Sequence, residues 1–487
     1  MNITEKLKNA GLWQALRVVL QLIIQFTYMA IMARLLSKAD FGLMALASSF
    51  IGFGTVFSEG GMGAALIQRQ NITQKHMNAA FQSAIFIGLV LFIVFFLVAP
   101  SIANFFNQPD LELIIKVAGV NIILSALSSV SISLLQKHFQ FKLITTATTI
   151  ITVIAYSIGV VFAFQGFGVW SLVVATLAST VLSAIVMFFL APIKLSYRFY
   201  WQEWKELFSF SSGYIILKII NYFANSGLNL VLAKIFTPAI LGVFERSYKI
   251  KTLPSSYFGN ILDTIMFPAM AEIQDEKERL FRTYQHSLGL VNSALMPITL
   301  FFVFFSKEIV LIILGDKWMD AIIPLQIMFI VMPFSSSGRM ADSVVRAKGL
   351  IYKNVYRKGL YTVVLIATVA LGAYYYGLIG AAIGVTFSYL FNYCIMLILV
   401  KSIFKKGIEE IFLKPVLSGF KISIILLPVI LLSTYLTKFI VDNSVLYFIL
   451  NTIFISSFIG VIVWKKPALL GEYIHETIVR LISKKKK

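Results

Sequence analysis

The sequence predicts an all-α polytopic membrane protein, and three observations lead there. Of 487 residues, 59% are hydrophobic and only 13% charged, with a mean hydropathy of +0.86. A water-soluble chain carries roughly 25% charged residues. Apolar stretches of about 20 residues, the length that crosses a bilayer, recur along the chain. The Lys and Arg residues between them concentrate on alternate connections, as cytoplasmic loops do. The formal net charge of +20 therefore points to a membrane surface and not to nucleic acid. The single cysteine, Cys394, allows neither a disulfide framework nor a thiolate metal cluster. His76, His138, His286 and His475 lie at connections or in the tail and form no ligand cluster, so no metal or cofactor is expected.

About fourteen spans are legible by length and apolarity. They start near Leu12, Phe41, Asn78, Glu112, Leu143, Gly168, Phe208, Ala239, Tyr284, Asp320, Tyr356, Leu378, Val416 and Leu446. Lys6 and Lys8 precede the first in the manner of a signal peptide. The apolar stretch runs past Leu36 without a cleavage site, which makes it a retained helix. The tenth span is polar in its second half. No connection is long enough to fold as a soluble domain, the largest being Pro192–Leu207 and Ala271–Thr283. With a cytoplasmic N-terminus, 29 of the 42 Lys and Arg fall on cytoplasmic connections or the tail and 7 on the outer side. Arg346 and Arg357 are counted among the cytoplasmic connections. Both termini are then cytoplasmic.

An internal repeat organises these spans. Ala33-Arg34-Leu35-Leu36-Ser37-Lys38-Ala39-Asp40-Phe41-Gly42 is echoed, at an offset of 200, by Ala233-Lys234-Ile235-Phe236-Thr237-Pro238-Ala239-Ile240-Leu241-Gly242. A second echo joins Gly166-Phe167-Gly168 with Gly377-Leu378-Ile379-Gly380, at the starts of spans six and twelve. The expected architecture is two parallel six-helix lobes plus two C-terminal helices. The boundaries are 1–195 for the first lobe, 196–206 for a cytoplasmic linker, 207–404 for the second lobe and 405–487 for the extra helices and basic tail. Parallel repeats are a transporter architecture, with the substrate site expected at the repeat interface.

Polar side chains mark candidate sites. In the first span, Gln14, Arg17, Gln21, Gln25 and Tyr28 share one helix face, and Lys218, Asn221, Tyr222, Asn225 and Asn229 do the same in the seventh. Gln21 and Gln25 repeat as Asn221 and Asn225. Such stripes serve either as hydrogen-bonded glue between helices or as the wall of a water-filled cavity, and the matching positions favour the cavity. The spans also hold Arg17, Lys218, Arg246, Lys249, Lys251 and Arg339 against Glu59, Glu245, Asp263 and Asp342. Glu245 with Lys249, and Arg339 with Asp342, have the spacing of self-neutralising pairs. Arg17 either snorkels to the cytoplasmic surface or faces the cavity. Lys218 has no acid near it in sequence. Arg246 and Lys249 share a face of the eighth span, and Lys251 points elsewhere. Glu59, ahead of Gly60-Gly61-Met62-Gly63, either couples to a proton or cation or neutralises a neighbouring cation; Asp263 is a second coupling candidate. The substrate-binding set is Arg17, Gln21, Gln25, Lys218, Asn221, Asn225, Arg246, Lys249 and Arg339. No constellation resembles a catalytic centre, so a transporter is expected and not an enzyme.

Seven motifs in order then carry a family resemblance. They are Ala33-Arg34-Leu35-Leu36 with Phe41-Gly42 and Ala65-Leu66-Ile67-Gln68-Arg69; Leu134-Leu135-Gln136-Lys137 with Phe141; Gly168-Val169-Trp170-Ser171-Leu172; Arg246-Ser247-Tyr248 with Leu253-Pro254; Phe267-Pro268-Ala269 with Ile273-Gln274-Asp275; and Gly315-Asp316-Lys317-Trp318. Together they resemble the polysaccharide flippases of the multidrug/oligosaccharidyl-lipid/polysaccharide exporter superfamily, particularly the Wzx branch of colanic-acid and teichuronic-acid exporters. The resemblance implies a bacterial cytoplasmic-membrane flippase that moves an undecaprenyl-diphosphate-type lipid-linked oligosaccharide outward by alternating access. It also implies contact with polysaccharide polymerase and export machinery. Arg246 sits where that branch is commonly basic, and Glu245 departs from the small polar residue typical beside it. The alternatives are a cation-coupled multidrug extruder of the same superfamily and a lipid II exporter.

Overall fold

The computed structural model describes residues 20–59, 61–439, 441, 443–465, 473, 475 and 476, and these are helical throughout apart from short connections. The chain divides into two compact units, Met1–Glu245 and Arg246–Lys487. The first contains α1 (Leu20–Leu35), α2 (Lys38–Ser58), α3 (Met62–Gln68), α4 (Gln74–Phe106), α5 (Asp110–Ala118), α6 (Val120–Lys137), α7 (Phe141–Phe164), α8 (Val169–Leu190) and α9 (Trp201–Ile235). Helix α10 (Pro238–Glu272) continues into the second unit, with α11 (Lys277–Phe304), α12 (Ser306–Ile313), α13 (Ile322–Phe329), α14 (Met332–Ala347), α15 (Ile351–Phe404), α16 (Lys414–Lys438) and α17 (Ser444–Lys465).

Among the described residues, nine helices are long and apolar enough to cross a membrane, or ten if the bent pair Asp316–Phe329 and Met332–Ala347 is one span. Fourteen were expected, and the difference has local causes. Four charges between Glu245 and Lys251 disqualify α10 on apolarity. The first expected span is described only from Leu20, and α9, where the side chains at 210–214, 216, 217 and 225 lie outside the described set, enters that count only as Ser226–Ile235. Helix α15, with its apolar part Lys353–Phe404, covers two expected spans, but Tyr376 and Gly377 leave the helical region inside it and Gly377 takes φ +58°. The chain reverses there. A Cβ on Gly372 would stand 2.2 Å from the Gly380 carbonyl oxygen, and the Thr368 hydroxyl lies 2.7 Å from that of Ser388. The polar tenth span is the bent pair, broken by 42°.

Glycines set how closely helices approach. The turn between α7 and α8 uses Gly166 and Gly168 at φ +83° and +53°, the same device as Gly377, in the same motif that the sequence repeats. At the start of α2, Ser37 and Asp40 form a capping box, with the Ser37 amide donating to Asp40 Oδ2 at 2.8 Å. One turn on, a Cβ at Gly42 would stand 1.8 Å from the Pro238 carbonyl oxygen, and one at Gly242 would stand 2.0 Å from that of Lys38. The repeated motif thus brings its own two copies together, each glycine admitting the other copy's backbone. In the second unit, α16 lies along α11 through small residues, with Ser293 and Ser418 hydroxyls 2.7 Å apart and Gly419 over the Asn292 carbonyl.

At the opposite end of α4, Gln74, Asn78 and Gln82 bind backbone carbonyls of Lys194, Ser196 and Arg198, tying the 192–200 connection down. His76 Nε2 and Arg69 both reach Glu206, at 3.3 and 2.5 Å. The His76 hydrogen bond, with the Arg69 charge behind it, holds the Glu206 carboxyl below its ordinary value.

A Gly42→Val substitution should disrupt the α2–α10 crossing, because its clash is with backbone that cannot rotate away. The expected loss is about 1–3 kcal/mol, the usual scale of overpacking. It should appear as a lower melting temperature of the detergent-solubilised protein, whereas Gly407→Ala, with no atom within 4 Å of the added Cβ, should melt near wild type.

Candidate functional site

The polar residues that the sequence singled out occupy distinct environments. Arg17 lies outside the described residues, as do the side chains of Asn225 and Asp263. Gln21 and Gln25 are half-buried on α1, and Tyr28 on the same face stacks on Tyr156 of α7 with ring centroids 3.8 Å apart. Asn221 is half-buried on α9. One turn before it, Lys218 Nζ donates to Glu59 Oε2 at 2.7 Å. The acid that Lys218 lacks in sequence therefore comes from the C-cap of α2, 159 positions away. Both members stay partly accessible, at 28% and 41% of their side chains, so this pair is reachable by a solute. Next to it, the Tyr222 hydroxyl donates to the Ser49 carbonyl, and its ring packs on Phe53.

In the second unit, Arg246 is half-buried and Lys249 exposed on α10. Lys251, read as merely pointing away from them, is 1% exposed and is among the largest fully buried side chains. Its ammonium sits 3.7 Å from the ring centroid of Tyr389 and 5.8 Å from that of Tyr248. The two tyrosine hydroxyls lie 3.4 Å apart, and the Tyr361 ring meets Tyr389 edge-on at 5.7 Å. Arg339 of α14 is near enough to act electrostatically on Lys251 and Tyr389. A cation buried against ring faces gains quadrupolar attraction in place of hydration.

The Arg339–Asp342 pair suggested by helical spacing does not form. Asp342 instead pairs with Arg346 at 2.9 Å and Arg357 at 3.2 Å. Both arginines, counted as loop charges from the sequence, lie inside α14 and α15. The Arg357 guanidinium is buried and also donates to Asn354, at 2.7 Å, and to Asn392. Tyr248, Tyr361, Tyr389, Asn354, Arg357 and Asn392 were missed by sequence reasoning. The usable signal was helical spacing: Arg357 and Tyr361, or Tyr389 and Asn392, recur three or four apart in otherwise apolar helices.

The arrangement is a multi-pass helical membrane protein in which charged side chains pair with one another or stand against aromatic rings, and no group of three or more His, Cys, Asp or Glu that could hold a metal ion lies among the described residues. A model of the family described as polysaccharide biosynthesis protein matches residues 31–323. The chain belongs to that family. It is 25% identical over 386 residues to the lipopolysaccharide biosynthesis protein WzxC of Escherichia coli (strain K12), covering 79% of this chain and 78% of that protein. It is 21% identical over 350 residues to the teichuronic acid biosynthesis protein TuaB of Bacillus subtilis (strain 168), covering 72% of each. Its fold is similar to that of the lipid II flippase MurJ in an inward closed conformation, with a TM-score of 0.74, 16% identity and coverage of 92% and 98%. An inward-facing multidrug resistance transporter, itself described as of the MOP superfamily, gives 0.60, with 15% identity and coverage of 80% and 96%.

Substitutions at Lys218, Glu59 and Lys251 test how these charges are met. Lys218→Glu should place two carboxylates together and lower membrane abundance, each unpaired charge costing about 2.5–3.5 kcal/mol on insertion scales. The swap Lys218→Glu with Glu59→Lys should restore abundance on immunoblots of membranes. Lys251→Met keeps volume and removes a buried charge, so abundance should hold or rise, whereas Lys251→Glu should abolish it.

Proposed function

We propose that this protein is a flippase that carries a lipid-linked oligosaccharide, on an undecaprenyl-diphosphate-type carrier, across the bacterial cytoplasmic membrane by alternating access for surface polysaccharide synthesis. Membership of the polysaccharide biosynthesis family carries the reading. The names of its relatives WzxC and TuaB point to surface polymers of this kind. Support from chemistry is the excess of basic over acidic groups inside the spans. A diphosphate presents several anionic oxygens, which Arg engages with a planar fork and Lys with a point charge. In this reading Arg17, Lys218, Arg246, Lys249 and Arg339, with Gln21, Gln25, Asn221 and Asn225, meet the polar head, and the lipid tail stays in the bilayer. Glu59 and Asp263 are the coupling candidates. The protein forms two parallel six-helix lobes, 1–195 and 207–404, joined by 196–206. Two further helices and a basic tail follow in 405–487, giving fourteen spans with both termini cytoplasmic. A polysaccharide polymerase is the natural recipient of the product.

The test is reconstitution in proteoliposomes with a fluorescent lipid-linked oligosaccharide, scoring its arrival in the opposite leaflet. Transport should depend on the protein, and Arg246→Glu or Arg339→Glu should slow it at least tenfold, the scale of one lost charge-assisted hydrogen bond of about 1.5–3 kcal/mol. A potential negative on the donor side should speed it, since each anionic charge gains about 2.3 kcal/mol per 100 mV. If the oligosaccharide stays in its leaflet while organic cations are moved, the protein is a multidrug extruder.

A further inference from the structure

The first unit carries an apolar groove that neither the polar stripes nor the ion pairs use. It has a volume of about 470 Å³ and is walled by Phe50 of α2, Val98, Ile102 and Phe105 of α4, and Leu230 and Val231 of α9. Phe50 meets Phe106 edge-on at 5.9 Å, and both rings line the groove. Val98 and Phe105 are exposed at 42% and 58%, so the groove opens outward. Helix α4 is apolar over nearly its whole length, and what lies outside a spanning helix is hydrocarbon.

One cation marks the groove's end. Lys234 stands one turn beyond Leu230 on α9. Its ammonium donates to the Phe105 carbonyl at 2.6 Å and lies 4.1 Å from the centroid of the Phe105 ring. That fixes the charge where α4 ends at Phe106, beside the wall of the groove. No carboxylate among the described residues pairs with Lys234, and an ammonium has two further N–H donors after the carbonyl is served. An apolar slot with a held positive charge at its end is complementary to a lipid with one negative charge.

We propose that this groove binds an anionic glycerophospholipid, with one acyl chain laid along Phe50, Val98, Ile102 and Leu230 and the phosphodiester on Lys234. The charge count selects this occupant: one ammonium matches one phosphodiester, and leaves a diphosphate carrier undermatched. The site is independent of the transported substrate. It makes the packing of α2, α4 and α9 responsive to lipid composition.

The full-length protein, purified in detergent, is titrated with phosphatidylglycerol or phosphatidylcholine, and bound lipid is counted by native mass spectrometry. Wild type should retain phosphatidylglycerol roughly tenfold more tightly than phosphatidylcholine, the effect of one charge-assisted contact. Lys234→Gln should abolish that preference and Lys234→Arg keep it. Val98→Trp, at an exposed position, should plug the mouth and weaken both lipids. Equal retention of the two lipids by wild type, or an unchanged preference in Lys234→Gln, overturns the headgroup contact. Unchanged retention in Val98→Trp overturns the groove, and preferential retention of a polyprenyl phosphate overturns the assignment to a phospholipid.

Discussion

Hydrocarbon offers a charge neither water nor counterion, so each charge on a spanning helix has to be met by protein or by a wet surface. The described structure meets its charges in three ways. Lys218 and Glu59 neutralise each other across two helices and remain partly accessible. Asp342 is shared by Arg346 and Arg357, and Asn354 and Asn392 accept further N–H groups of the Arg357 guanidinium. Lys251 is set against tyrosine rings whose hydroxyls are themselves linked. The first solution can be opened by a passing solute at low cost. The other two are built into helix packing, and disturbing them would disturb the helices.

The same environment decides how helices hold together. Lipid tails are as apolar as leucine, so association relies on close packing and interhelical hydrogen bonds. Gly42 and Gly242 admit backbone where any side chain would collide, and Gly372 and Gly380 do this within α15. Ser293 with Ser418, and Thr368 with Ser388, add hydroxyl contacts at such crossings. Motifs that look like family signatures are in this sense instructions for contact. Leu36-Ser37-Lys38-Ala39-Asp40-Phe41-Gly42 ends one helix, caps the next and supplies the glycine for the crossing.

Much of the helical framework was legible in the sequence, because hydropathy is a local property of about 20 consecutive side chains. The break between the eleventh and twelfth expected spans fell within two residues of the reversal at Tyr376 and Gly377, and the polar half of the tenth marked a real bend. Glycines at positive φ were readable as turns, since few other residues tolerate them. Where charges entered a helix, as in α10, apolarity stopped being a guide and the number of spans became ambiguous.

The sequence by itself determined that the chain crosses a membrane repeatedly, where most of its helices break, and that it carries a repeated motif and more basic than acidic groups inside its spans. Tertiary structure alone decided the partners. Helical spacing proposed Arg339 for Asp342, yet Arg346 and Arg357 took it; nothing near Lys218 proposed Glu59. Lys251 read as a bystander and proved to be the most deeply buried cation described. The physical reason is that transfer energy depends on which side chains a segment contains. Pairing depends on the rotation and depth of one helix against another, which are set by packing between residues far apart in the chain.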